Sequence, residues 1–262
     1  MLVTLFTGDA TDTDPSVIIY PTMTLDSATT GNYEVGTSLN VSWKATFNKG
    51  SYEYGPDTGL VPEWNVTDYN GTIWHNAEST VKNNVTIGKH TLSVIAIYKN
   101  AANPYTALSN EAPALKIKDG ELSATAEISG YYGYFFGALK QGNTIDTLSN
   151  EIITSGIVRN LASTKNNVAA DKFPETFEQV VGDAQIIFAC EANNGISKIE
   201  LVDTEHIVDT VNNKGLGTQT LKSFIATIKD AGNNDVQYRI FYADNTKAPA
   251  TNNITYKIEL TK

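Results

Sequence analysis

The stretch Leu39-Asn40-Val41-Ser42-Trp43-Lys44-Ala45-Thr46-Phe47-Asn48 alternates apolar and polar residues without a fault. Side chains leave an extended strand on opposite faces in turn, so this period of two predicts a half-buried strand with Leu39, Val41, Trp43, Ala45 and Phe47 facing inward. The pattern returns at Leu122, Ala124, Ala126 and Ile128 against Ser123, Thr125, Glu127 and Ser129. It returns again at Ile254, Tyr256, Ile258 and Leu260 against Thr255, Lys257, Glu259 and Thr261. Val94–Tyr98 and Ile186–Cys190 are apolar at every position, which predicts central strands covered on both faces.

The punctuation between these runs is that of antiparallel connections. Asp230-Ala231-Gly232-Asn233-Asn234-Asp235 separates Phe224–Ile228 from Val236–Tyr242 and predicts a hairpin. Further turns are expected at Asn48–Gly50, Gly55–Gly59, Asn83–Gly88, Asn193–Gly195 and Asn212–Gly217. Turn signals this frequent point to antiparallel β-sandwiches rather than to alternating helix and strand. One helical stripe interrupts them: Leu148, Ile152, Ile153, Ile157 and Leu161 share a face, with Asp146 or Thr147 as N-cap and Gly156 as a weak point. A short helix near residues 147–161 is therefore expected over a sheet edge or bridging strands, followed by an exposed loop over Ser163–Lys172. Phe173-Pro174-Glu175 would then open a second single turn.

A chain of 262 residues is expected to hold two domains at roughly 150 residues each. The expected fold is mainly β, two tandem antiparallel immunoglobulin-like sandwiches, with the boundary near Asp119-Gly120. Residues 1–16 read as an arm, 17–118 as the first sandwich and 119–262 as the second, which carries the helical insertion. Apolar residues at 41% and charged residues at 18% fit a globular chain and exclude a disordered or coiled-coil one. The net charge of −10 would repel a phosphate backbone, so no nucleic-acid partner is expected. The longest apolar runs fall far short of the roughly 20 residues that span a bilayer, so no membrane span is expected. Met1–Ala10 lacks the basic head of a secretory signal, and the sequence reads as a soluble chain. The Asn-x-Ser/Thr acceptors at Asn40, Asn65, Asn70, Asn84 and Asn253 then read as products of an Asn- and Thr-rich composition.

Residues that could carry chemistry are sparse and dispersed. His75, His90 and His206 sit on separate predicted elements, without the short spacing from which zinc sites are built. Cys190, the single cysteine, lies inside the run Ile186–Cys190, where a small apolar filler is expected rather than a nucleophile. Gly-x-Ser-x-Gly does not occur. Asp203, Glu205, His206 and Asp209 could be imagined as acid/base machinery, but carboxylates on a polar hairpin read first as solvated surface. Asp9, Asp12 and Asp14 alternate like part of a calcium loop, yet lack its central glycine and closing glutamate. No enzyme activity, cofactor or metal is expected.

Aromatic residues say more. Tyr131, Tyr132, Tyr134, Phe135 and Phe136 crowd Gly130–Gly137, and alternation places Tyr132, Tyr134 and Phe136 on one side and Tyr131, Gly133 and Phe135 on the other. At most one of these sets need be core. Tyr52 and Tyr54 flank a glycine-rich turn. Trp43 fits an inner face, whereas Trp64 and Trp74 stand in stretches that read as loops. Exposed rings bury flat apolar area beside a polar tip, which suits either a protein interface or the face of a sugar. Trp64, Trp74, Tyr131, Tyr132 and Tyr134 are therefore the candidate contact residues, for a subunit interface or for a glycan.

Tyr33-Glu34-Val35-Gly36-Thr37, followed by Leu39–Phe47 and Asn48-Lys49-Gly50-Ser51-Tyr52, resembles a module recurrent in virion proteins of tailed bacteriophages. Ile117-Lys118-Asp119-Gly120, Gly130–Gly137, Ile187-Phe188-Ala189, the Asp230–Asp235 bend and Tyr238-Arg239-Ile240-Phe241-Tyr242 resemble the β-rich second part of the same modules. The resemblance runs from about Tyr33 onward and rests on turns and strand patterns. It implies a non-enzymatic structural component located in the virion, as a tail, fibre or capsid-attached protein. Its implied partners are other copies of itself and other virion proteins, since virion parts repeat one chain symmetrically. The alternative is a carbohydrate-binding adhesin or host-recognition module that grips a host surface glycan through Trp64, Trp74 or Tyr131. A hydrolase using His206 and its neighbouring carboxylates is the enzyme rival.

Overall fold

The strand patterns assemble into antiparallel sheets. The computed structural model describes residues 18–52, 57–102, 117–140, 153–161, 163–165, 175–179, 182–202, 206–208, 220–244 and 251–261. The chain folds into two compact units. The first draws on Met1–Gly31, Asn40–Asn83 and Lys89–Ile128, the second on Asn32–Leu39, Asn84–Gly88 and Ser129–Lys262. The division at Ile128 falls inside a strand that begins at Gly120, and two short pieces of the first half of the chain belong to the second unit.

In the first unit, β2 (Thr22–Ala28), β4 (Ser38–Asn48) and β8 (Glu78–Asn84) form a sheet in that order. Opposite runs the order β10 (Gly120–Tyr131), β9 (Gly88–Tyr98), β6 (Pro62–Thr67) and β7 (Ile73–Trp74). A two-residue ladder joins β1 (Ile18–Ile19) to β5 (Ser51–Tyr52). Burial along β4 follows the sequence alternation: Val41, Trp43 and Ala45 are buried while Asn40, Lys44, Thr46 and Asn48 are exposed. Leu92, Val94 and Ala96 supply the matching buried face of β9. The two sheets meet through rings, Trp43 with Trp74 at 6.0 Å and Phe47 with Tyr98 at 5.8 Å between centroids, spacings typical of tilted aromatic pairs. One end of this sandwich is closed by Leu60, Ala101 and Ile117, and there the Tyr52 hydroxyl donates to the Ala102 carbonyl and accepts from the Ile117 amide.

The second unit holds a five-stranded sheet, β12 (Ser163–Lys165), β11 (Tyr134–Lys140), β14 (Asp183–Glu191), β18 (Asp235–Asp244) and β17 (Thr220–Lys229), in that order. A four-stranded sheet, β13 (Glu175–Gln179), β19 (Ile254–Thr261), β15 (Gly195–Leu201) and β16 (His206–Val208), packs on one side of it. Tyr134, Phe136, Ile186, Phe188, Cys190, Ile199, Tyr256 and Ile258 fill the space between. The other side is covered by α1 (Ser155–Arg159) and the residues around it, where Ile153, Val158 and Leu161 join Phe135, Ile187, Ala189, Ile228, Tyr238 and Ile240. Strand β14 is thus buried on both faces, as its unbroken apolar run requires. The remaining strand, β3 (Gly31–Glu34), lies beside the end of β10, where the Val35 amide donates to the Tyr131 carbonyl at 2.9 Å.

The structure corrects several local expectations. The described helix begins at Ser155, with the Thr154 hydroxyl accepting from the Ile157 amide as N-cap; Asp146 and Thr147 lie outside the described residues. Ser163–Lys165 is a strand rather than a loop, paired with Tyr134–Phe136, because a sheet edge can hydrogen-bond polar backbone that no periodicity marks. Glu175 opens β13, not a helical turn. Trp64 and Trp74 stand on β6 and β7 rather than in loops. The expected turn at Asn212–Gly217 lies outside the described residues, as does Tyr54.

Candidate functional site

Strand pairing decides where the two candidate tryptophans point. Val66 pairs with Trp74, and Val66 is fully buried, so Trp64, Val66 and Trp74 share the inner face of their sheet. Both indoles are half-buried at its open edge. Trp74 packs at a tilt against Trp43 and donates its Nε1–H to Asp68 Oδ2 at 2.9 Å. The other oxygen of that buried carboxylate accepts from the Asn70 and Thr72 amides at 2.9 and 3.0 Å. Asp68 therefore shapes the turn from β6 to β7 and fixes the Trp74 ring at the same time. His75 is exposed, and its Nδ1–H donates to the Trp64 carbonyl at 3.0 Å.

The tyrosine-rich segment is spread over several environments. Tyr131 is half-buried at the end of β10. Tyr132 packs at the margin of the helix-covered layer, whereas Tyr134 is only 4% exposed within the layer between the sheets. Alternation fails at Tyr132 and Gly133 because these residues join β10 to β11 and lie in neither strand. Both faces of the following strand are core, Tyr134 and Phe136 on one and Phe135 on the other, which corrects the expectation that one face would suffice. Tyr131 and Tyr132 thus keep partial solvent access, and Tyr134 serves packing.

The titratable groups in this interior are set by burial. It pushes the Cys190 thiol up to about 12 and the Tyr256 phenol likewise to about 12, so both stay protonated at neutral pH. A thiol held in that state is a poor nucleophile. Among the described residues no three His, Cys, Asp or Glu side chains converge on a possible metal position. Asp203, Glu205 and Asp209 lie outside the described residues, as do Asp9, Asp12 and Asp14; His206 begins β16, its backbone paired with Leu201. A small apolar cavity between the sheets of the second unit is lined by Phe136, Phe188, Ile196, Phe241 and Tyr256 among others. That lining suits packing better than binding of a polar ligand.

Sequence reasoning passed over a set of apolar side chains that the structure leaves in water. Val61 is 77% exposed, Tyr20 64%, Ile73 58% and Ile19 55%. All four belong to the first unit and stand in or next to short strands. Alternation cannot flag Ile19, Tyr20 and Ile73, because a two-residue strand has no period to read, and Val61 lies just outside the six residues of β6. No family model matches the chain, and the search of curated proteins gives no match. No helix among the described residues is long and apolar enough to cross a membrane.

Proposed function

We propose that this chain is a structural component of a tailed-bacteriophage virion, a tail, fibre or capsid-attached protein, acting through assembly contacts with further copies and with other virion proteins. The observation that carries the assembly role is the group of large apolar side chains, Ile19, Tyr20, Val61 and Ile73, held in solvent on strand-built scaffold of the first unit. Burying such residues against a neighbour removes apolar area from water at about 25 cal/mol per Å². The virion setting rests on the resemblance of Tyr33–Tyr52 and of the second-half turns and strands to phage modules. Light scattering across a concentration series tests the assembly role. Self-association is expected for the unaltered chain and should be weakened by Val61→Asp with Ile73→Asp, while a monomer at every concentration counts against it. Mass spectrometry of purified particles tests the setting, and particles lacking the chain would remove it.

The second reading is glycan binding. Its support is the pair of half-exposed indoles, Trp64 and Trp74, at one sheet edge beside exposed His75. A glycan array probed with the unaltered chain and with Trp64→Ala separates the readings. Trp64 is the better probe because Trp74 also braces Trp43 and Asp68.

A further inference from the structure

Residues Asn32–Leu39 reach the second unit as a strap. Four backbone hydrogen bonds hold it there: Val35 N–H to Tyr131 O at 2.9 Å, Gly36 N–H to Val85 O at 2.8 Å, Val85 N–H to Thr37 O at 2.9 Å and Ala231 N–H to Val35 O at 3.2 Å. Gly36, at φ +86°, lies so close to Gly232 that an added Cβ would sit 2.3 Å from its amide nitrogen. The strap brings one buried apolar side chain, Val35, and one buried charged side chain, Glu34.

Arg159, at the end of α1, meets that charge. Its NH1 and NH2 reach the two Glu34 carboxylate oxygens at 2.5 and 3.0 Å, the two-pronged geometry that suits guanidinium and carboxylate. NH1 also donates to the Lys229 carbonyl at 3.0 Å, and the guanidinium lies 5.4 Å from the centre of the Phe135 ring. The Ser155 hydroxyl, one turn earlier on α1, accepts from the Lys229 amide at 2.8 Å. The helix therefore occupies both backbone groups of Lys229 at the end of β17, the outermost strand of its sheet among the described residues.

We propose that Arg159 is the clasp of a conformational device, fastening the strap Asn32–Leu39 to α1 and to the end of β17, so that the strap opens and closes against these two segments, which apolar packing keeps in place. The strap is held by those four backbone hydrogen bonds and by the ion pair of Glu34 with Arg159, with Val35 as its one buried apolar side chain, whereas the layer between the two sheets and the seat of α1 are held by apolar packing. Opening is therefore local and does not require the sandwich to unfold.

Residue-resolved hydrogen exchange of the full chain tests this. In the unaltered protein the amides of Gly36, Val85 and Ala231 should exchange through one shared opening, at least about tenfold faster than the paired amides of β14. Arg159→Met keeps the aliphatic stem and removes the fork; it should speed exchange at those three amides together by roughly 10- to 100-fold and leave β14 unchanged. The proposal is overturned if strap protection survives Arg159→Met, or if β14 loses protection to the same degree. Should that variant not fold, the unaltered protein still decides: three amides with separate denaturant dependences, or exchange only by global unfolding, would overturn it.

Discussion

Cys190 shows how a residue's neighbours set its chemistry. Its thiol is fully buried between the sheets of the second unit, with Sγ donating to the Asn194 carbonyl at 3.6 Å. Burial raises it from an ordinary 9.0 to about 12, and raises Tyr256 from 10.0 to about 12. Tyr238 is raised for the same reason. Below about pH 8 these groups are protonated in both folded and unfolded chains, so they give no slope. Above it the unfolded chain ionises first, and stability falls as pH rises toward 12, each group contributing up to about 1.4 kcal/mol per pH unit. Urea midpoints should hold up to about pH 8, begin to drop toward 9, and drop faster above 10 as the tyrosines join. Cys190→Ala should flatten the part between 9 and 10, and an unchanged profile there would show that the thiol titrates alike in both states. The buried filler role of Cys190 was legible in its apolar run. The inward direction of Trp64 and Trp74 was not, because it depends on the pairing of Trp74 with Val66.

At the scale of an element, the hairpin from β17 to β18 shows a turn written in sequence and locked by one side chain. Asp230 is buried, and its Oδ1 accepts from the Gly232 amide at 2.8 Å, the Asn234 amide at 2.9 Å and Asn234 Nδ2 at 3.2 Å. Asn233 takes φ +66°, a conformation that asparagine tolerates better than most residues. Asp230→Ala strands these donors and should cost about 2 kcal/mol or more. Asp235→Ala removes only an exposed ion pair with Lys229 and should cost less than about 1 kcal/mol. Thermal unfolding compares the two, and equal losses would assign the hairpin's stability to something other than the Asp230 carboxylate. Period and turn residues made β4, β10, β14, β17, β18 and β19 readable in advance. They did not reveal β12, β7 or β16, each two or three residues long and existing only because a neighbouring strand offers backbone partners.

At the scale of the whole molecule, the two units are interleaved in sequence. The second needs Asn32–Leu39 and Asn84–Gly88 as well as Ser129–Lys262. Gly130 shows how closely one of these pieces is fitted, since an added Cβ there would lie 1.9 Å from the Thr86 carbonyl oxygen. A fragment Glu121–Lys262 would therefore lack part of its own unit. Its Cys190 is expected to react with a thiol reagent without denaturant, whereas in the full chain the same thiol should react only on unfolding. Equal protection in fragment and full chain would mean that the borrowed segments are dispensable.

What the sequence determined by itself was the kind of element and the buried face of each long strand, because alternation and unbroken apolar runs are local consequences of strand geometry. It also marked the Asp230–Asp235 turn, whose glycine and asparagines meet a local backbone need. Only the tertiary structure decided that Glu34 meets Arg159 across 125 positions of chain, that β11 is covered on both faces, and that Val61 and Ile73 remain in water. Those outcomes depend on which strands pair and what covers each sheet, and nothing within a few residues of each position encodes the partner.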